Sequence, residues 1–182
     1  SGKSRVDWKD STIRKWLNDD FYNSAFSEKE KENIVESKSE GFEEYNTSMN
    51  LTGGGKPYAY LERETEDKVF LLSNTELCAY FSEDPYPGCY SDPYAHKELL
   101  CYPTAYAKQQ LETRYQTETC GWWLCNHVYE DDSVELVSAY GQGSGTSREN
   151  IKANTKSIAV RPAMWVTWQS DMEMVEANQQ VE

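Results

Sequence analysis

No stretch of this chain approaches the run of about 20 apolar residues that a membrane-crossing helix needs, so direct insertion into a bilayer is not expected. Positive charge is scarce. The chain has 18 Lys and Arg against 31 Asp and Glu, a net charge of −13. Such a surface repels phosphate backbones and anionic lipid, which argues against nucleic acid as a partner. The cysteines never form Cys-x-x-Cys, and the spacing of Cys120 and Cys125 does not resemble a zinc knuckle. The glycine-rich Gly141-Gln-Gly-Ser-Gly145 lacks the Gly-Lys-Ser/Thr ending of a phosphate loop and reads as a flexible turn. There is no Asp-x-Asp-x-Asp-Gly calcium loop, no Glu-x-Asn-Asp of the calcium-dependent sugar-binding lectins, and no internal repeat. Neither a metal nor a cofactor is expected.

What is present in quantity is aromatic: six Trp and thirteen Tyr in 182 residues. Such rings bury much area per residue, and Tyr and Trp keep a polar tip for wet surfaces. The length suits one domain with a real core. Ser1-Gly2 looks like what remains of a removed tag, so residues 1–5 are expected to precede the domain, 6–168 to form it, and 169–182 to be a polar tail. The cysteines are Cys78, Cys89, Cys101, Cys120 and Cys125. An odd number leaves at least one thiol free in a monomer, and both a disulfide and a set of small buried hydrophobes fit the rest.

Helical signals dominate the first half. Asp10 or Ser11 caps a helix whose Ile13, Trp16, Leu17 and Phe21 form one apolar stripe. Ser27-Glu-Lys-Glu30 is a capping box, with Ile34 and Val35 as inward positions of the helix it opens. Residues 37–56, with Gly53-Gly-Gly55, read as a loop, and Tyr58–Leu61 as a short strand. Lys68–Leu72 is a continuous apolar run suited to a buried strand. It leads into a second capping box, Ser73-Asn-Thr-Glu76, so Thr75–Phe81 should be helical. The tract from Glu83 to Tyr94 holds three prolines and a glycine and should be irregular. Pro103 suits the first turn of a helix through Gln110.

Strand patterns dominate the end: Gly121-Trp-Trp-Leu124, Val134-Glu-Leu-Val137 and Ile158–Trp168. Pro162 inside the last demands an edge or a bulge. Helices first and antiparallel strands last predict an α+β fold. Two Trp-bearing anchors thus bracket a polar stretch that cannot bury itself, and rigid ends carrying a loop-rich face are how many binding sites are made.

Catalytic readings are weaker. Cys125 and His127 share a strand face, but a Cys–His nucleophile needs hydrogen-bond reach and a group to orient the base, which neighbours on one strand rarely achieve. Glu130-Asp131-Asp132 is the best calcium candidate, yet three successive acids cannot all face one ion without a purpose-built loop. A solvated turn is the simpler reading. Arg161, among apolar residues, is expected in a structural ion pair. Trp122 and Trp123 fall on opposite faces of a regular strand, so at least one is core and the other is free to stack on a sugar ring.

Several motifs together resemble a bacterial domain family of unknown function. These are Trp8-Lys-Asp-Ser-Thr-Ile-Arg-Lys-Trp-Leu-Asn18, Phe21–Phe26, Glu66–Ser73, Pro103-Thr-Ala-Tyr-Ala107, Gly121-Trp-Trp-Leu124 and Val160-Arg-Pro-Ala-Met-Trp165, in the family's order over most of residues 6–168. That family is similar to the C-type-lectin-like fold in its formylglycine-generating-enzyme-like branch. The resemblance implies N-terminal helices on small antiparallel sheets, in a surface or secreted protein of bacteria or phages. Some relatives are variable proteins of diversity-generating retroelements, in which the segment after the Trp-Trp strand is mutated to make new binding surfaces. Two departures stand out: Cys125-Asn-His-Val128 replaces the family's Arg-Ser-Pro-Gly, and the tract from Pro85 to Leu100 looks like an insertion. The cysteines do not fit the pair used by catalytic relatives.

The expectation is therefore a non-enzymatic, monomeric binding domain, extracellular or on a cell surface, that takes a protein or glycan ligand on a face within residues 125–157. The candidate contacts are Asn126, His127, Tyr129, Asp131, Asp132, Tyr140, Gln142, Ser144, Arg148 and Asn150. Tyr supplies area at low entropy cost, and short polar side chains supply adaptable hydrogen bonds. The alternatives are a thiol- or metal-dependent enzyme of the formylglycine-generating branch, and a structural surface module.

Overall fold

The computed structural model describes residues 8–38, 65–81, 97–111, 118–127, 134–141 and 155–167. A single 3-10 turn, Trp8–Asp10, leads into α1 (Thr12–Trp16), a π-helical turn Leu17–Phe21, α2 (Tyr22–Ala25) and α3 (Glu28–Lys31). Ser11 caps α1 by accepting from the Arg14 amide at 3.2 Å. The π-turn has a visible cause in Asn18. Its amide group donates to Arg14 O at 3.1 Å and to Val69 O at 2.8 Å, while its Oδ1 accepts from the Lys68 and Val69 amides. One side chain thus breaks the helical ladder and holds a strand-like segment against it. The extra residue turns the apolar stripe. Leu17 is fully buried, but Trp16 is 42% exposed and leans on Phe21 at 5.2 Å.

Asp67 completes this junction. Its buried carboxylate accepts from Trp8 Nε1 at 2.9 Å, Arg14 Nε at 2.7 Å and Thr65 Oγ1 at 2.7 Å. A buried carboxylate with three close donors is well compensated, and here it ties the N-terminal helices to the segment that follows.

The Ser27–Glu30 capping box is present, but α3 ends at Lys31, and Ile34–Val35 is not helical. It is strand β1, with Ile34 buried and Val35 exposed, paired antiparallel with β4 (Trp165–Val166). Two β-branched residues after a helix stop fit a pleated ribbon better than a further turn. The second capping box is also present: Glu76 N–H donates to Ser73 Oγ at 3.1 Å and Ser73 N–H to Glu76 Oε2 at 2.7 Å. It opens α4 (Asn74–Phe81). Val69, Phe70 and Leu71 are buried, as a core strand requires, but pairing there is one bridge, Phe70 with Ala163. A 3-10 turn, Lys97–Leu99, precedes α5 (Ala105–Gln110). Thr104 caps α5, so Pro103 sits before the cap and not in the first turn. Tyr58–Leu61 and Glu83–Tyr94 lie outside the described residues.

Strand β2 (Trp122–His127) is central. It pairs antiparallel with β3 (Val134–Val137), and the sheets β1–β4 and β2–β3 each have two strands. The protein is thus α+β, with small antiparallel sheets. From Trp122 to Asn126 both faces of β2 are buried. Trp123 and Cys125 enter a core with Trp8, Leu17, Phe70 and Leu136; Trp122 and Leu124 enter a second with Leu77, Leu99, Val137 and Ala159. Alternation along one strand therefore feeds two cores. Neither Trp122 nor Trp123 is available as an exposed stacking platform, since both are needed to fill core volume. No helix among the described residues is long and apolar enough to cross a membrane.

Candidate functional site

The geometry around Trp122 decides where the polar C-terminal stretch can act. Trp122 pairs with Val137 in antiparallel sense and with Ala159 in parallel sense. The second contact is closed by Trp123 N–H donating to Ala159 O at 3.0 Å and Ala159 N–H to Gly121 O at 2.8 Å. An antiparallel neighbour leaves toward the start of β2, and a parallel neighbour arrives from that same end. The chain between residues 138 and 158 thus departs from and returns to one end of β2. Gly121 stands in the gap: a Cβ there would meet Val137 O at 3.0 Å and Ile158 Cδ1 at 3.3 Å. A side chain here would press on the outgoing Val137 carbonyl and on the tip of Ile158, so glycine is the residue that fits without a shift.

The anchor itself is rigid. Trp122 Nε1 donates to Leu99 O at 3.0 Å, and the Arg161 guanidinium lies 4.9 Å from the Trp122 ring centre. Arg161 also donates to Glu98 O at 3.4 Å. Among the described residues, the expected ion pair of Arg161 is replaced by a ring face and a carbonyl. A half-buried guanidinium is weakly hydrated and stacks readily, so it needs no buried carboxylate.

Three candidate contacts fall on described backbone. Asn126 and His127 lie at the far end of β2, where His127 is opposite Val134. Asn126 is 2% exposed and so is not part of a solvent-facing patch. Its burial follows from an irregularity in the hairpin. Between the pairs Trp123–Leu136 and His127–Val134, β2 has three residues and β3 only one, Glu135. The Cys125 amide turns away from β3 and donates to Leu72 O at 3.0 Å. This bulge tucks Asn126 inward, and Glu135 opposite it is also buried. Tyr140 lies beyond Val137, at the opposite end of the hairpin, and is 55% exposed. The fold therefore does not bring Tyr140 together with Asn126 and His127. Tyr129, Asp131, Asp132, Gln142, Ser144, Arg148 and Asn150 lie outside the described residues.

The Tyr140 end has neighbours that the sequence pattern did not reveal. Thr119 Oγ1 donates to Ala139 O at 2.6 Å, and Cys120 is bridged to Cys101. Cys101 is followed by Tyr102, 66% exposed, and α5 carries Tyr106, 73% exposed. No local signal marked this juxtaposition, because it rests on the pairing of Cys101 with Cys120, nineteen positions apart. A turn at Gly141, with φ 76° and its amide donating to Ser138 O at 3.0 Å, directs the chain onward. The Cys120 thiol, pushed up to about 12 chiefly by burial and then by the neighbouring Cys101, stays protonated near neutrality and is a poor nucleophile. Among the described residues no group of three His, Cys, Asp or Glu is placed to hold a metal ion.

A domain family described as of unknown function, DUF6273, matches residues 1–168. Nothing matches among curated proteins or among solved structures.

Proposed function

The chain belongs to the DUF6273 family, and from its own geometry we propose that it is a non-enzymatic ligand-binding domain whose recognition face lies at the start of β2. One observation carries this reading. The 138–158 excursion is pinned at both ends to the same fully buried tryptophan, Trp122, through Val137 and Ala159. A long polar segment held at one point can present short side chains with little ordering cost at its base. Tyr140 follows Ala139, which Thr119 holds, and Tyr102 follows Cys101, which pairs with Cys120; both rings are exposed, and amphipathic rings of this kind serve as contact anchors.

The face accordingly comprises Tyr140, Gln142, Ser144, Arg148 and Asn150, with Tyr102 added. The group at the other end of the hairpin, Asn126, His127, Tyr129, Asp131 and Asp132, is a separate locus. The partner class is a protein or glycan on a cell or host surface, and the domain acts outside the cell as a monomer. The motif resemblance supports a C-type-lectin-like architecture, and the position of the polar excursion after the Trp-Trp strand suits a segment diversified by a retroelement.

The test uses the full chain against an array of bacterial and host surface proteins and glycans. For any partner bound, Tyr102→Ala with Tyr140→Ala should weaken affinity by about tenfold or more while leaving the melting temperature within about 2 °C, since both rings are largely solvated. Binding that is untouched by these changes but lost on His127→Ala would place the face at the wrong end. An array without any partner would favour a structural module instead.

A further inference from the structure

The base of β2 contains a second chemical feature, which does not depend on the ligand-binding reading. Cys101 and Cys120 are directly opposed across an antiparallel bridge, with Cys120 N–H donating to Cys101 O at 2.8 Å. Opposed residues in such a pair have Cα atoms roughly 4.5–5.5 Å apart, inside the window of about 4.4–6.8 Å that a disulfide spans. The Cys120 sulfur lies 3.6 Å from Cys101 O, so its side chain already points at its neighbour and not away from it. Cys101 is half-buried, whereas Cys120 is buried; both are reduced thiols here.

We propose that Cys101 and Cys120 form a reversible disulfide that staples the segment leading into α5 to the foot of β2. The oxidant is a small-molecule disulfide of the glutathione class. The more accessible Cys101, as thiolate, attacks one sulfur of that disulfide. An S–S bond forms at Cys101, and one small thiol leaves with the electron pair. Cys120, as thiolate, then attacks the Cys101 sulfur and expels the second small thiol. The two protein thiols lose two electrons and two protons in all, and the oxidant takes up both as two thiols.

The order of attack follows from the surroundings. Burial, the charge on a neighbouring Cys101 thiolate and a hydrogen bond between the two side chains all hold the proton on Cys120. Once Cys101 is in a mixed disulfide, its charge and hydrogen bond no longer oppose ionisation of Cys120 and burial alone does, so closing the bond is the slower of the two steps. The bond closes a loop that starts at Tyr102 and includes α5. In an oxidising compartment the staple forms; in a reducing one it opens.

The test uses the wild-type chain and one variant. It is reduced with dithiothreitol and desalted, then exposed in the native state to oxidised glutathione. Remaining thiols are alkylated, and the protein is digested without reduction for mass spectrometry. A peptide pair joined through Cys101 and Cys120 is expected as the main cross-link, with a melting temperature about 5–10 °C above that of the reduced protein. Cys101→Ser should lose both the cross-link and the temperature rise. A Cys101 or Cys120 that remains fully alkylated after oxidation overturns the proposal, as does a dominant bond to Cys78 or Cys89. An unchanged melting temperature in a sample shown to be cross-linked would overturn the staple.

Discussion

At the scale of single residues, a few side chains do work that their neighbours cannot take over. Asn18 uses all of its hydrogen-bonding capacity between the helix ladder and the edge of residues 68–69. Asp67 gathers an indole, a guanidinium and a hydroxyl from three places in the chain. Cys120 has a measurable consequence. Its thiol is raised from 9.0 to about 12 by burial, then by Cys101. Below pH 9 the thiol is protonated whether the chain is folded or unfolded, and stability does not respond to it. Between pH 9 and 12 the unfolded chain releases this proton and the folded chain keeps it, so folding weakens as pH rises. Urea denaturation of the reduced protein at and above pH 9 should show a steeper loss of stability for wild type than for Cys120→Ala. Parallel curves would mean that Cys120 ionises freely in the folded state.

At the scale of elements, local rules succeeded wherever the partners are close in sequence. Both capping boxes lie where Ser and Glu are three apart, and Ser11 caps α1. The boxes differ in setting. Ser27 and Glu30 are exposed, whereas Ser73 and Glu76 are buried. Removing a cap therefore strands a donor in water in one case and in the core in the other. Ser27→Ala should cost about 0.5–1 kcal/mol and Ser73→Ala about 1–2 kcal/mol or more, measured by chemical denaturation. Equal costs would show that the buried box relaxes to let water in. Local rules failed where the deciding contact is distant. Ile34–Val35 reads as helix by spacing, but β4, more than a hundred residues later, makes it a strand. The stripe through Trp16 was turned by the π-turn at Asn18, which bonds to Val69.

At the scale of the whole molecule, the fold is organised around one strand with no free face from Trp122 to Asn126. β2 divides its side chains between two cores, and the returning segment 155–167 touches Trp122 at Ala159, Phe70 at Ala163 and β1 at Trp165–Val166. Opening any of these contacts requires separating the others. Native-state hydrogen exchange should therefore find the amides of Trp123, Cys125 and Ala159 among the slowest, exchanging at the rate of global unfolding. Fast exchange at Ala159 alone would mean that the excursion returns on a loose end, and the proposed face would lose its footing. The separation of Tyr140 from Asn126 and His127 belongs to this scale as well. All three are near one another in sequence, yet a hairpin sends them to opposite ends.

Apolar alternation and Ser–Glu spacing settled on their own that helical signals dominate the first half of this chain and strand signals its end, with at least one of Trp122 and Trp123 in the core. These signals act over a few residues, and their energies do not depend on what lies elsewhere. Only the tertiary structure decided that both Trp122 and Trp123 are buried, that Asn126 is enclosed by a bulge, that Arg161 rests on a ring, and that Cys101 faces Cys120. Each of those outcomes depends on which distant backbone fills the other edge of a strand, and hydrogen-bond partners far apart in sequence leave no periodicity to read.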